Sequence, residues 1–146
     1  MLIFSDISII KSHLSKLKKE GNIIGFIPTM GALHNGHLSL IKKSISENNF
    51  TVVSIFVNPT QFDNSEDLET YPSNIKNDII LLKSISDDII LFNPDSQEVY
   101  SEGVQSHQFN FNGLDKHMEG KYRVNHFQGV ATVVSKLLSI VEPDNV

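Results

Sequence analysis

The chain has 146 residues, of which 40% are hydrophobic and 20% charged, with no cysteine and a formal net charge of -5. Those values suit a single domain that can bury a core. They exclude a disulfide framework and a thiolate metal site, and they leave no basic stripe for nucleic acid. No apolar run approaches the roughly 18 residues of a membrane span. Met1 to Asp6 lacks the basic start and long apolar core of a signal peptide. A cytoplasmic protein with no membrane and no nucleic-acid partner is the expectation.

In chain order, Ser8 to Glu20 is predicted helical, because Ile10, Leu14 and Leu17 recur at helical spacing with lysines between them. Asp6 or Ser8 can cap its start, and Gly21-Asn22 is a stop signal. Ile23 to Ile27 is a continuous apolar run that suits a parallel strand covered on both faces, with Pro28 expected to end it. Leu38 to Asn48 reads as a helix with Leu38, Ile41 and Ile45 on one face. Thr51 to Val57 is a β-branched run that reads as the next strand. Ile23 to Val57 is therefore a βαβ unit with parallel strands and a right-handed crossover.

Asp63 to Thr70 is acidic and polar and is expected to be an exposed loop. Pro72 to Ser84 is predicted helical, and Ile89 to Phe92 is a third buried strand ending at Asn93-Pro94. The alternation Gln108-Phe109-Asn110-Phe111 suits an edge strand, and Gly113 to Tyr122 is a polar stretch that Gly120 breaks. Phe127 to Val141 carries a wide apolar face and is the last helix, closed by Glu142-Pro143-Asp144. Asn145-Val146 would start one more strand. Helices alternating with strands define an α/β doubly wound sheet.

Pro28-Thr29-Met30-Gly31-Ala32-Leu33-His34-Asn35-Gly36-His37 joins the first long strand to a helix start. Backbone N–H groups there are unpaired and the helix dipole favours an anion. Gly36 lets backbone approach a ligand. The two imidazoles of His34-Asn35-Gly36-His37 can donate to a phosphate on which charge builds as pyrophosphate leaves. The same pair also fits a metal site, for which no third ligand lies nearby in sequence, or surface histidines at a helix start. Asn58-Pro59-Thr60-Gln61-Phe62 follows the second strand, and ligands of open parallel sheets bind outside the carboxyl ends of strands. The two turns should share one sheet edge.

Together, Pro28 to His37 and Ser54-Ile55-Phe56-Val57-Asn58-Pro59-Thr60-Gln61-Phe62 resemble the pantothenate synthetase (pantoate–β-alanine ligase) family. The likeness continues through Asp67-Leu68, Tyr71-Pro72, Leu91-Phe92, Pro94 and Tyr100. It is strong again at His126 to Leu137 and at Val141-Glu142-Pro143-Asp144. The resemblance implies a Rossmann-like fold of the His-x-Gly-His nucleotidylyltransferase superfamily. Residues 1–146 then form the N-terminal ATP- and pantoate-binding domain, truncated before a C-terminal lid domain.

The implied reaction is a two-step ligation. Pantoate attacks the α-phosphate of ATP in the presence of Mg²⁺, and the amine of β-alanine then displaces AMP to give pantothenate. By position, Met30, Gly31, Ala32, Leu33, His34, Asn35, Gly36 and His37 line the ATP site. His34 and His37 contact the phosphates, and His37 is the usual proton donor. Gln61 holds pantoate near β-alanine, with Asn58 in support; no protein metal ligand is implied. The resemblance further implies a homodimer, with an interface around Phe111 to Phe127. Three positions depart from the family pattern: Ser73 stands where an Arg is usual, and Val124-Asn125 replace a Pro-Gly turn. A non-catalytic nucleotide-binding or dimerisation fragment, and another nucleotidylyltransferase, are the alternatives.

Overall fold

A computed structural model describes residues 1–62, 65–117, 119–123 and 125–146 of the chain. Its centre is a four-stranded, all-parallel sheet in the order β1-β4-β3-β2, with β1 Leu2–Phe4, β2 Ile24–Thr29, β3 Phe50–Ile55 and β4 Ile90–Phe92. Phe26, Val52, Val53, Leu91 and Phe92 are almost wholly buried, as expected where helices cover both faces. Each such side chain contributes about 1.5–3 kcal/mol on leaving water.

Helices α1 Ile7–Lys19 and α7 His126–Val141 cover one face, where Ile10, Leu14, Val133, Leu137 and Val141 meet Phe26, Val52 and Phe92. Helices α2 Asn35–Glu47 and α4 Ile75–Ile85 cover the other, where Ile41 and Leu82 meet Val53 and Leu91. Short helices α3 Ser65–Glu69, α5 Ser96–Val99 and α6 Glu119–Tyr122 lie between them in sequence.

The chain steps from β2 to β3 to β4 in one direction, and then α7 returns it to the free edge of β2. There Asn145 forms a parallel bridge with Gly25, and Phe26 N–H donates to the Asn145 carbonyl at 2.9 Å. The strand expected at Asn145 thus has its partner. This reversal of direction opens a crevice at the carboxyl end of β2, with α2 on one side and α7 on the other.

Several expectations are corrected. Pro28 does not end β2, which runs to Thr29. Phe26 N–H faces Asn145, so by the two-residue repeat of a strand the N–H that Pro28 lacks would also face away from β3. The stretch expected as an exposed loop from Asp63 to Thr70 contains α3, with Glu66 and Asp67 in its first turn, where the helix dipole favours them. Asp63 itself lies outside the residues whose side chains are described. Gln108 to Phe111 forms no strand. The Gln128 side chain takes the place of a neighbouring strand, accepting from Phe109 N–H at 2.7 Å and donating to the Phe109 carbonyl at 3.0 Å. Gly120 sits inside α6 rather than breaking a helix. Strand β1 and helix α5 were not expected.

Helix α7 also fixes the turn at Pro59–Gln61. A Cβ on Gly129 would stand 2.1 Å from the Thr60 carbonyl oxygen and 2.7 Å from the Gln61 Cα. Gly129→Ala must therefore push helix and turn apart. It is expected to cost about 1–3 kcal/mol, as overpacked sites do, read as a lowered midpoint in urea denaturation with an unchanged slope.

Candidate active site at the carboxyl edge of β2

The turn after β2 is built by a threonine at the strand's last position. Thr29 Oγ1 donates to the Ser54 carbonyl at 2.7 Å and accepts from Gly31 N–H at 3.2 Å, so the turn starts from a fixed point. Gly31 (φ 84°) and Ala32 (φ 49°) both adopt left-handed backbone, which is easy for glycine and strained for alanine. The strain is held by Asp78 in the first turn of α4. Its carboxylate accepts from Ala32 N–H at 3.1 Å and from Leu33 N–H at 2.8 Å. Asp78 is 2% exposed, so these donors compensate its burial.

Helix α2 then begins with a cap made from histidines. His34 is the N-cap residue, and its Nδ1 accepts from Gly36 N–H at 3.1 Å. His37 Nδ1 accepts in turn from His34 N–H at 3.3 Å, the reciprocal arrangement of a capping box. Backbone N–H groups only donate, so both Nδ1 atoms are acceptors, and each neutral ring carries its proton on Nε2. The rings stand 4.1 Å apart between centroids. The pair thus forms two adjacent N–H donors at a helix N-terminus. A Cβ on Gly36 would lie 3.0 Å from the His34 ring. The room that glycine leaves is therefore taken by an imidazole, where the sequence suggested an approaching ligand.

Protonating His37 Nδ1 would set a new N–H against the His34 backbone N–H. Burial lowers the His37 pKa from its ordinary value of 6.5, electrostatic repulsion between its charged form and the adjacent His34 lowers it further, and Asp78 opposes both.

Beside the turn, a cleft of about 290 Å³ runs between Met30, Gly31, His37, Asn58 and Gln61 on one side and Val130, Val133, Val134 and Leu137 of α7 on the other. Met30, Gln61 and Tyr71 also border a second, more open cleft of about 580 Å³ that reaches Arg123 and His126. The two turns singled out in the sequence do share one edge of the sheet. Of the candidate residues, Met30, Gly31, His37, Asn58 and Gln61 line the first cleft. His34, Asn35 and Gly36 form the exposed start of α2. Ala32 and Leu33 have their N–H groups taken by Asp78, and the Leu33 side chain is buried in the core between α2 and α4.

Gln61 is held from behind. His126 Nδ1 donates to its carbonyl oxygen at 3.0 Å and Arg123 Nη2 does so at 3.3 Å. Arg123 and His126 therefore fix the Gln61 backbone from either side of Val124 and Asn125, the positions expected to depart from a Pro-Gly turn; Asn125 is left-handed (φ 67°) and Val124 lies outside the described residues. Among the described residues no group of three His, Asp or Glu side chains could hold a metal ion. Nor is any helix there long and apolar enough to cross a membrane.

Sequence reasoning missed Asp78, the role of Tyr100 and the close approach of Gly129. A signal for Asp78 was available: it falls between Ile75 and Leu82 on the apolar stripe of α4, where a carboxylate must find donors.

A parallel sheet with a histidine-capped helix beside a cleft at its switch point defines a Rossmann-like α/β protein of the His-x-Gly-His kind. Residues 2–146 match the family model for Pantoate-beta-alanine ligase. The chain is 46% identical over 144 residues to the pantothenate synthetase of Christiangramia forsetii, and 47% identical over 143 residues to that of Flavobacterium psychrophilum. These alignments cover 99% and 98% of this chain and 51% of each relative. The crystal structure of pantoate-beta-alanine ligase from Francisella tularensis, complexed with beta-gamma ATP and beta-alanine, superposes with a TM-score of 0.90 at 47% identity, over 99% of this chain and 54% of that one. Pantothenate synthetase from Thermus thermophilus superposes with a TM-score of 0.86 at 40% identity, over 98% of this chain and 50% of that one. The chain belongs to the pantoate-beta-alanine ligase family, and it spans about half the length of the curated relatives it matches.

Two outcomes test the geometry of the turn. Asp78→Ala leaves two N–H groups without their acceptor and should cost about 2–5 kcal/mol. Hydrogen exchange at Ala32 and Leu33 should accelerate far more than exchange in β3. Because the unfolded chain binds a proton at His37 more readily than the folded one, stability is fully present above the ordinary histidine pKa and is lost as pH falls through the lowered folded value. Melting temperature measured from about pH 7.5 down to about pH 5 should fall more steeply for the native chain than for His37→Gln, whose amide caps without titrating.

Proposed function

We propose that this chain provides the ATP- and pantoate-binding part of an ATP-dependent pantoate–β-alanine ligase. In the first step a pantoate carboxylate oxygen bonds to the α-phosphorus of ATP and the bond to pyrophosphate breaks. In the second, the β-alanine amine bonds to the acyl carbon, AMP leaves with the former carboxylate oxygen, and the amine loses a proton. The observation that carries this reading is the histidine cap of α2. Two neutral imidazoles with their Nδ1 atoms engaged offer Nε2–H donors side by side at a helix N-terminus. Such preorganised donors suit an α-phosphate whose charge grows in the transition state.

His37 borders the cleft and is the residue assigned to protonate or donate to the leaving phosphate, with His34 beside it. Met30 and Gly31 form the wall against which the nucleotide lies, and Asn35 and Gly36 supply backbone at the helix start. Gln61 holds pantoate, with Asn58 behind it. Described side chains offer no cage for Mg²⁺, so the ion enters this reading only on the phosphates of ATP, as is usual for magnesium. We assign residues 1–146 to one domain and the protein to the cytoplasm. The assembly is read as a homodimer, for which exposed Leu114 and Tyr122 provide apolar surface in the expected region.

Incubating the chain with ATP, Mg²⁺, pantoate and β-alanine, and measuring AMP and pantothenate, tests the reading. Turnover that falls about 100-fold or more in His37→Ala is the expected result. Gln61→Ala should weaken pantoate binding more than ATP binding, measured by titration calorimetry. Binding without turnover would make the chain a binding module. Absence of binding to both ligands would overturn the assignment of the cleft.

A further inference from the structure

Asn58 is wholly buried between two groups whose hydrogen-bonding sense is fixed. Thr60 N–H, which can only donate, lies 3.3 Å from Asn58 Oδ1, and the Gly129 carbonyl, which can only accept, lies 3.2 Å from Asn58 Nδ2. The amide therefore has one orientation. Its Nδ2 also lies 3.1 Å from the Gln61 side chain, and an N–H there requires that the Gln61 atom be the acceptor, Oε1. Gln61 is 8% exposed and its Nε2 has no partner among the described residues. It is the Nε2 end, with two N–H donors, that is left for the cleft.

Tyr100, 3% exposed, completes the chain of bonds. Its hydroxyl donates to Asn58 Oδ1 at 2.5 Å, the shortest contact to that atom, and Thr60 Oγ1 lies 3.1 Å from the same hydroxyl. Burial pushes the Tyr100 phenol up, which keeps it a donor. Thr60 Oγ1 also donates to Asn58 Oδ1, at 3.0 Å, so three donors meet on that oxygen and the Tyr100 hydroxyl is the closest of them.

We propose that Tyr100 is a positioning residue: as the closest donor on Asn58 Oδ1 it holds the Asn58 amide in place, and Asn58 Nδ2 in turn holds Gln61 Oε1, so that the Gln61 N–H donors face the cleft. The Gln61 subsite then accepts a group that offers lone pairs, such as the carboxylate or hydroxyl oxygen of a hydroxy acid. It rejects an ammonium or amide N–H, which would meet donors. This rests on the proposed function and adds to it, because it names Tyr100 as the residue that holds the Gln61 amide with its donors toward the hydroxy acid.

The test uses the 146-residue chain and the conservative variant Tyr100→Phe. Nitrogen-15 NMR of the side-chain amides should show Asn58 N–H protons protected from exchange in the native chain and Gln61 N–H protons exchanging with solvent. In Tyr100→Phe, Asn58 protection should drop about tenfold or more and the Gln61 signals should shift or double. Pantoate affinity should fall about tenfold, with ATP affinity unchanged. A purely packing role for Tyr100 would lower the melting temperature while leaving the Gln61 signals in place. That result would overturn the proposal, as would Gln61 N–H protons already protected in the free chain. Should pantoate not bind at all while the amide signals behave as expected, the relay stands and the functional reading fails.

Discussion

The site depends on one buried carboxylate. Asp78 receives the N–H groups of Ala32 and Leu33 and so holds a left-handed alanine that would otherwise relax. Without that bend, β2 would not pass into α2 at the angle that brings His37 to the edge of the cleft. The carboxylate belongs to α4, which packs on the same face of the sheet as α2. The turn is therefore tied to the core through a helix distant in sequence, and loss of either element would loosen both.

Capping and donor chemistry share the same two rings. A serine or aspartate at the N-cap would stabilise α2 as well as His34 does. What imidazole adds is a second nitrogen. Engaging Nδ1 with the backbone fixes the proton on Nε2 and so settles which way the ring donates before any ligand arrives. Preorganisation of this kind comes from ordinary helix-end physics and needs no dedicated supporting residue.

The sequence disclosed the frame and the two turns for a physical reason: β2, β3 and β4 are buried on both faces and read as unbroken apolar runs, and α7 has a wide apolar stripe. β1 escaped notice because two of its three residues are half exposed and its pairing with β4 spans nearly ninety positions, which no local pattern records. Phe109 and Phe111 misled because alternation describes an extended backbone and does not say what pairs with it. Asp78 and Tyr100 act through partners 45 and 42 positions away. Their residue types were visible, but the contacts that give them a role exist only in the fold. The family resemblance pointed to Gln61 and Asn58, and only the neighbours of Asn58 show which end of the Gln61 amide is free.

The Gln128 clasp on Phe109 has an evolutionary side. A strand in a ladder is locked in register, because inserting one residue turns every side chain to the opposite face. The stretch around Phe109 is instead fastened at a single residue by one amide, with His107 N–H on Thr132 Oγ1 as a second point. Between and beyond these two fastenings, residues can be gained or lost without disturbing a register. The same surface can then lengthen, shorten or change composition among relatives while the sheet and cleft beneath it stay as they are.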